Sequence, residues 1–184
     1  MKNIIEILEF GNIEEKLKNL ESLSSTNNRE ILQKIISKLD DDDIQVRGEA
    51  FSSLVLNENE ISELLINSLN SQKKNIRGYA SLVLANRNNS NAIPEIIKLT
   101  NDQSSMVRAC ALGALGYLKA KQAKEAINNC LCDSNLEVRK SALKAIIDLG
   151  YSLSEEKIKE MFREKDAELE RLLVNVKKSG PKGI

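Results

Sequence analysis

The 184-residue chain has no histidine and no tryptophan, and aromatic residues make up only 3% of it. Without histidine, Ser-His-Asp and Cys-His nucleophile systems and every histidine-bearing zinc site are excluded. Without large rings, the core must be filled by Leu, Ile, Val and Ala. Two prolines and eight glycines are too few for a chain of short strands joined by tight turns. No apolar run approaches the ~20 residues of a membrane span. The opening MKNIIEILEF, interrupted by Glu6 and Glu9, is not the pattern of a signal peptide. A cytoplasmic location is the expectation. The three cysteines, Cys110, Cys130 and Cys132, are odd in number and follow no disulfide framework. Two of them stand two positions apart, so on a helix their thiols diverge, and all three together fall one ligand short of a four-cysteine zinc site. They are expected to act as small buried or half-buried hydrophobes, with no metal and no cofactor.

Net charge is missing too, since 27 Lys and Arg balance 27 Asp and Glu. No global field steers the molecule to nucleic acid or an anionic membrane. The balance hides an asymmetry: residues 1–70 hold 7 basic against 14 acidic side chains, and residues 71–184 hold 20 against 13. What is present is 41% apolar and 29% charged residues, the mixture of an ordinary folded protein, and helices are favoured over strands.

Four segments of the chain repeat: IQVRGEAFSSL (44–54), KNIRGYASLVL (74–84), SMVRACALGAL (105–115) and LEVRKSALKAI (136–146). Their arginines, Arg47, Arg77, Arg108 and Arg139, are spaced 30, 31 and 31 apart. A β-branched residue precedes each, alanine follows at plus three (Ala50, Ala80, Ala111, Ala142), and Leu or Ile at plus seven. Those offsets share one stripe of a helix, so each copy reads as an amphipathic helix with a small residue where its neighbours approach. A second helical pattern lies upstream of each copy, as in Ile31, Leu32, Ile35, Ile36 and Leu39, with Pro94 at the start of the third. Turn and capping residues separate the two patterns: Asp40–Asp43, Asn70–Ser71, Asn101–Asp102 and Asp133–Ser134. Each unit is a helical hairpin.

Weaker copies extend the period outwards. Stepping forward 31 from Arg139 reaches Glu170, fed by a helix from about Ser154 to Phe162, and stepping back 33 from Arg47 reaches Glu14. Glutamate in place of arginine at both ends suits terminal caps, which meet water on one face. The expected fold is all-α, an α-α superhelix of about six hairpins forming one domain over residues 1–176. Regular repeats occupy 28–149, degenerate caps 1–27 and 150–176, and a flexible basic tail 177–184.

The pattern of Leu with Asp or Asn, a gap, then Val-Arg-x-x-Ala and Leu resembles HEAT repeats, in particular the short variety named after phycobilin lyases. The resemblance implies a non-catalytic solenoid in which the second helix of each hairpin lines a concave binding face. Other HEAT-repeat proteins mark the alternatives. Deoxyhypusine hydroxylases hold iron with His-Glu pairs, which this chain lacks. HEAT-like DNA glycosylases use tryptophan, also absent, so nucleic acid is disfavoured as a partner despite the 12 basic against 6 acidic residues of 71–148. A lyase-type accessory protein holding a tetrapyrrole, or a chaperone, remains open. A protein or peptide partner is the leading expectation.

The recurrence of the arginines at one structural position favours architecture: each ties its inter-helix turn, with an Asp or Asn such as Asp102 or Asp133 as partner. The run Asp40–Asp43 reads as a solvated turn whose last member caps the following helix, since it lacks the alternating ligands and glycine of a calcium loop. Positions plus one, two, five and nine from each arginine should face outward, which nominates Glu49, Tyr79, Leu82, Cys110, Tyr117, Lys140 and Lys144 as partner-binding residues. The tyrosines weigh most, because a ring with a polar tip suits an interface.

Overall fold

In the computed structural model residues 3–161 and 165–179 are described, with twelve α-helices and no strand among them. The helices form six hairpins: α1 (Ile4–Phe10) with α2 (Ile13–Ser22), α3 (Arg29–Ser37) with α4 (Ile44–Leu56), α5 (Ser62–Ser68) with α6 (Lys74–Asn86), α7 (Ile93–Lys98) with α8 (Ser105–Tyr117), α9 (Lys124–Asn129) with α10 (Leu136–Asp148), and α11 (Glu155–Met161) with α12 (Ala167–Ser179). They divide into two compact units of three hairpins each, residues 1–92 and 93–184. Phe162, expected to end the helix that begins near Ser154, and residues 180–184 of the expected basic tail lie outside the described residues.

The second helices begin at residues 13, 44, 74, 105, 136 and 167, so the period of 30 or 31 holds from the first hairpin to the last. Local chemistry sets those starts. Asn12, Asp43 and Asn135 each accept hydrogen bonds from amides of the first turn, and Asp166 Oδ1 accepts one from the Leu169 amide at 2.9 Å. Such caps satisfy amides that have no partner within the helix. Measured from these caps, the residue equivalent to Arg47 in the first hairpin is Lys16, exactly one 31-residue step back, and not Glu14. The N-terminal cap therefore keeps a cation, and only the C-terminal one, with Glu170, has glutamate at the position.

Helix ends are periodic as well. Asn88, Lys119 and Gly150 adopt positive φ of 54°, 52° and 69°, each 31 residues from the next. The amides that follow them, of Asn89, Ala120 and Tyr151, return to the carbonyls of Leu84, Leu115 and Ile146 at 3.0 Å. This left-handed cap closes the helix and turns the chain towards the next hairpin.

The first helices of the regular repeats are short, and α3, α7 and α9 run into 3₁₀ turns at Lys38–Asp40, Leu99–Asn101 and Cys130–Cys132. Their apolar faces, such as Leu32, Ile35 and Ile36 in α3, pack on the second helices. The stripe expected in the second helices is buried in α4 (Val46, Ala50, Leu54), α8 (Val107, Ala111, Leu115) and α10 (Val138, Ala142, Ile146). In α6 Ala80 and Leu84 are buried and Ile76 is half-buried. Within the first unit α2, α4 and α6 pack side by side, and within the second α8, α10 and α12 do so. At Gly116 α8 and α10 come so close that a Cβ would stand 3.0 Å from the backbone Cα of Ala145.

Three glycines therefore respond differently to alanine. Gly116→Ala should overpack the α8–α10 contact and cost about 1–3 kcal/mol. Gly150→Ala meets no atom within 4 Å, yet its φ of 69° should cost about 1–2 kcal/mol. Gly48→Ala, in open space on the exposed side of α4, should gain about 0.5–1 kcal/mol. Urea melts of the three variants check the assignment, which fails if all three shift the midpoint in the same direction.

Candidate functional site

The four repeat arginines do the same thing. Arg47 donates through Nη1 to the carbonyls of Asp41 and Asp42 at 2.8 and 3.0 Å. Arg77 reaches Ser71 and Gln72 at 2.8 and 3.2 Å, Arg108 reaches Asp102 and Gln103 at 2.8 and 3.3 Å, and Arg139 reaches Asp133 at 2.6 Å. The acceptors are main-chain oxygens of the inter-helix turn, so the arginine clamps the turn whatever side chains stand there. This is the architectural role expected, achieved through carbonyls more than through the Asp or Asn side chains.

Arg108 and Lys16 also reach forward to the next hairpin. Arg108 Nε and Nη2 hold the Asp133 carboxylate at 2.7 and 2.8 Å, with both side chains mostly buried. Lys16 holds Asp41 at 2.9 Å, the same 25-residue reach, and Lys38 adds a contact at 3.3 Å. Hydrogen bonding to Arg108 holds the Asp133 carboxyl below the ordinary range, against the upward pull of burial. For Asp41 burial pushes upward, but Lys16 and the Asp43 amide outweigh it.

A different set of side chains bridges the loops between hairpins of the first unit. Buried Asn57 donates to the Thr26 carbonyl at 2.8 Å, and Asn59 to the carbonyls of Ser25 and Thr26 at 3.0 and 3.1 Å. Arg87 donates to the carbonyls of Leu54, Asn57 and Asn59. The repeated offsets of the second helices stop at plus seven, whereas Asn57 and Arg87 stand at plus ten and Asn59 at plus twelve, so the pattern does not reach these residues.

The outward positions differ in how far they reach solvent. In the first unit Gly48 is exposed, Glu49 and Ser52 are half-buried, and Leu56 is 67% exposed on α4. On α6 Gly78 is buried, Tyr79 and Leu82 are half-buried, and Asn86 is exposed. In the second unit Ala109 and Cys110 are half-buried, Gly113 is exposed, and Tyr117 is 53% exposed on α8. On α10 Ser141 is half-buried, and Lys144 and Asp148 are exposed. The plus-nine position is thus open in all four regular repeats (Leu56, Asn86, Tyr117, Asp148).

Lys140 does not face outward. It is only 6% exposed, and its Nζ lies 3.1 Å from Glu137, 3.1 Å from Asp166 and 3.2 Å from Glu168. Burial alone would lower its pKa, but these three carboxylates outweigh it and raise the value. The reason lies in α12, whose cap Asp166 and first-turn Glu168 stand over α10, so a lysine occupies the place that Gly48, Gly78 and Ala109 hold in other repeats. Lys144 pairs with the same Glu168 at 2.6 Å.

The cysteines divide. Cys110 is half-buried and Cys130 buried, and burial pushes each thiol up to about 11. Cys132 is exposed, contrary to expectation, and its sulfur takes the Lys157 ammonium at 2.9 Å beside a cleft of about 450 Å³. Its neighbour Cys130 points inward from the same 3₁₀ turn, the divergence expected of a pair two positions apart. Among the described residues no group of three or more Cys, Asp or Glu could hold a metal ion. No described helix is long and apolar enough to cross a membrane.

Paired helices with a clamped turn, recurring every 30 or 31 residues, define an α-helical repeat protein. The chain belongs to the HEAT repeat family, whose profile matches residues 62–123 and 101–174. Among solved structures it is similar to the complex of CpcE and CpcF of phycocyanin lyase from Nostoc sp. PCC7120, with a TM-score of 0.68 and 18% identity over 82% of this chain and 99% of that one. A designed armadillo repeat protein in complex with a (KR)4 peptide matches with a TM-score of 0.59 and 18% identity, over 96% of this chain and 97% of that one. An engineered protein matches end to end with a TM-score of 0.58 and 17% identity. At these identities the likeness concerns the fold. No curated protein matches the sequence at a significant level.

The Arg108–Asp133 clamp has a measurable signature. Arg108→Ala leaves two turn carbonyls and one mostly buried carboxylate without their donor, and should cost about 2–3 kcal/mol. Because the Asp133 pKa is lowered in the fold, its contribution is complete above the ordinary carboxylate range and is lost as pH falls through the folded value. Asp133→Asn should therefore flatten the acid limb of the stability curve and change little of its slope at neutral pH. An acid limb as steep as that of the unmodified protein would show that the pair carries no linkage.

Proposed function

We propose that the chain is a non-catalytic binding scaffold whose units each offer a partner protein the outward side of their second helices. The observation that carries this reading is the open plus-nine position, found in both units. Leu56 and Tyr117, a large aliphatic and an aromatic side chain, stand 67% and 53% exposed there, in helices whose opposite stripe is fully buried. The repeat arginines are committed to turn carbonyls, so recognition falls to the outward positions. Glu49, Tyr79 and Leu82 in the first unit, and Cys110 and Lys144 in the second, are the further outward residues assigned to each unit's surface in this reading. Solved relatives of the fold support the reading in kind: CpcE and CpcF form a complex with one another, and the designed armadillo protein holds a peptide. The cytoplasm is the compartment proposed.

A second reading follows from the lyase likeness, that of an accessory protein holding a tetrapyrrole. The two separate on the absorption spectrum of protein purified from its native host. Visible bands that remain through gel filtration would favour the tetrapyrrole.

For the scaffold reading, affinity capture from the native host should yield a protein partner in stoichiometric amount. Leu56→Ala and Tyr117→Ala should each weaken that capture by about tenfold, a loss of roughly 1–2 kcal/mol, with the melting temperature unchanged. Tyr79→Ala, from a half-buried ring, should lower both capture and stability. Full capture by the Leu56 and Tyr117 variants would remove the second-helix face from consideration.

A further inference from the structure

Three of the large apolar side chains most open to solvent belong to the first unit, at the end of α1 and the starts of α2 and α4. Phe10 is 82% exposed, Ile44 72% and Ile13 46%. Ile13 and Ile44 are the first residues of α2 and α4, equivalent positions one repeat apart, and Phe10 ends α1 across the tight turn from Ile13. Helices packed in contact run about 8–10 Å apart, so equivalent side chains on α2 and α4 are neighbours. Ion pairs fix that neighbourhood: Lys16, one turn from Ile13, holds Asp41, three residues before Ile44, and Glu9 pairs with Lys34 beside Phe10. In the later second helices the first residue is Lys74, Ser105, half-buried Leu136 or Ala167. The apolar edge is confined to the first two hairpins.

Single exposed hydrophobic residues are ordinary, but three at one edge, two of them at repeat-equivalent positions, mark a contact surface. Its rim says what kind. The nearby cations Lys16, Lys34 and Lys38 are spent on Asp41 and Glu9. The carboxylates of Glu14, next to Ile13, and Asp42, two residues before Ile44, make no ion pair or hydrogen bond among the described residues. Asp43 is engaged in capping its own helix and keeps its charge on the same edge. The edge is therefore apolar at its centre and negative around it, within a stretch of the chain, residues 1–70, that carries twice as many acidic as basic side chains. That combination repels an anionic lipid surface and suits a segment whose apolar residues alternate with Lys or Arg.

We propose that the turn edge of the first two hairpins, formed by Phe10, Ile13 and Ile44 with Glu14 and Asp42, is a docking surface for a basic amphipathic segment of another protein. It lies at the starts of α2 and α4, whereas Leu56 ends α4 and Tyr117 ends α8, so the two sites occupy different helix ends.

The test uses the full chain and a fluorescein-labelled synthetic peptide of alternating Leu-Leu and Lys-Lys blocks, followed by fluorescence anisotropy. The unmodified protein should bind it, with affinity falling as salt is raised. Phe10→Asp and Ile44→Asp should each weaken binding by about tenfold, and the pair Glu14→Lys with Asp42→Lys should do the same. Circular dichroism melts should match the unmodified protein, since all four side chains are exposed or end a helix. Leu56→Ala and Tyr117→Ala should bind the peptide normally, which keeps this outcome distinct from failure of the scaffold reading. The proposal is overturned if the unmodified protein does not bind, if Ile44→Asp binds as well, or if a Leu-Leu and Glu-Glu peptide binds equally. It is overturned too if sedimentation shows an oligomer that Ile44→Asp dissolves, because the occupant would then be a second copy of the chain.

Discussion

The four regular repeats depend on a guanidinium that donates to the carbonyls of the turn behind it. A two-helix hairpin must reverse direction in a few residues, and the reversal leaves carbonyl oxygens with no helical donor. Left unpaired beside packed helices, each would cost on the order of 1–3 kcal/mol. One arginine in the first turn of the second helix serves two of them at once, and because it binds main-chain oxygens it permits Asp, Ser, Gln or Asn in the turn itself. With the turn fixed, the angle between the helices is fixed. Within each unit the stripe of β-branched residue, Ala and Leu or Ile then packs on the neighbouring second helices, and a glycine contact such as that of Gly116 with Ala145 can be close.

The regular part of this plan could be read directly from the residues. Four matches at fixed offsets gave the helices, the buried stripe and the arginine's role, because each is a local requirement repeated often enough to stand above chance. The departures are all places where tertiary context overrides the period. Lys140 occupies a position that is small or outward elsewhere, and it is buried because Asp166 and Glu168 of the last hairpin come to it. Its two acidic partners lie more than twenty residues away in a degenerate repeat, where no pattern announces them. Glu14 seemed to sit at the repeat position only because its apolar neighbours mimic the stripe. The cap at Asn12 shows that Lys16 does. Exposed Cys132 reflects a 3₁₀ turn that ends the first helix and rotates the residue out, a change of helical pitch that a simple helical wheel misses.

The candidate surfaces were legible to different degrees. Outwardness of plus one, two, five and nine followed from helical geometry, but the degree of exposure did not. Leu56 and Tyr117 at the helix ends stand open, whereas Tyr79 and Leu82 nearer the middle are half covered. The apolar edge at Phe10, Ile13 and Ile44 was hidden for another reason. A hydrophobic residue at a helix start reads as core in a sequence, and only the packing of the caps shows that it has nothing to pack on.

The distribution of charge joins these points to function. Of the six described cations in the first two hairpins, four hold structure: Arg47 on the turn, Lys16 and Lys38 on Asp41, Lys34 on Glu9. The acidic excess of residues 1–70 is therefore what a partner meets, even though the whole chain is neutral. In the last two hairpins the logic is reversed, and carboxylates such as Asp133, Asp166 and Glu168 are held by Arg108, Lys140 and Lys144. A repeat protein built this way assigns opposite charges to scaffold duty at its two ends. What is left over at each end, negative with exposed aliphatic residues in the first unit and an exposed tyrosine in the second, sets the chemistry of whatever the surface holds.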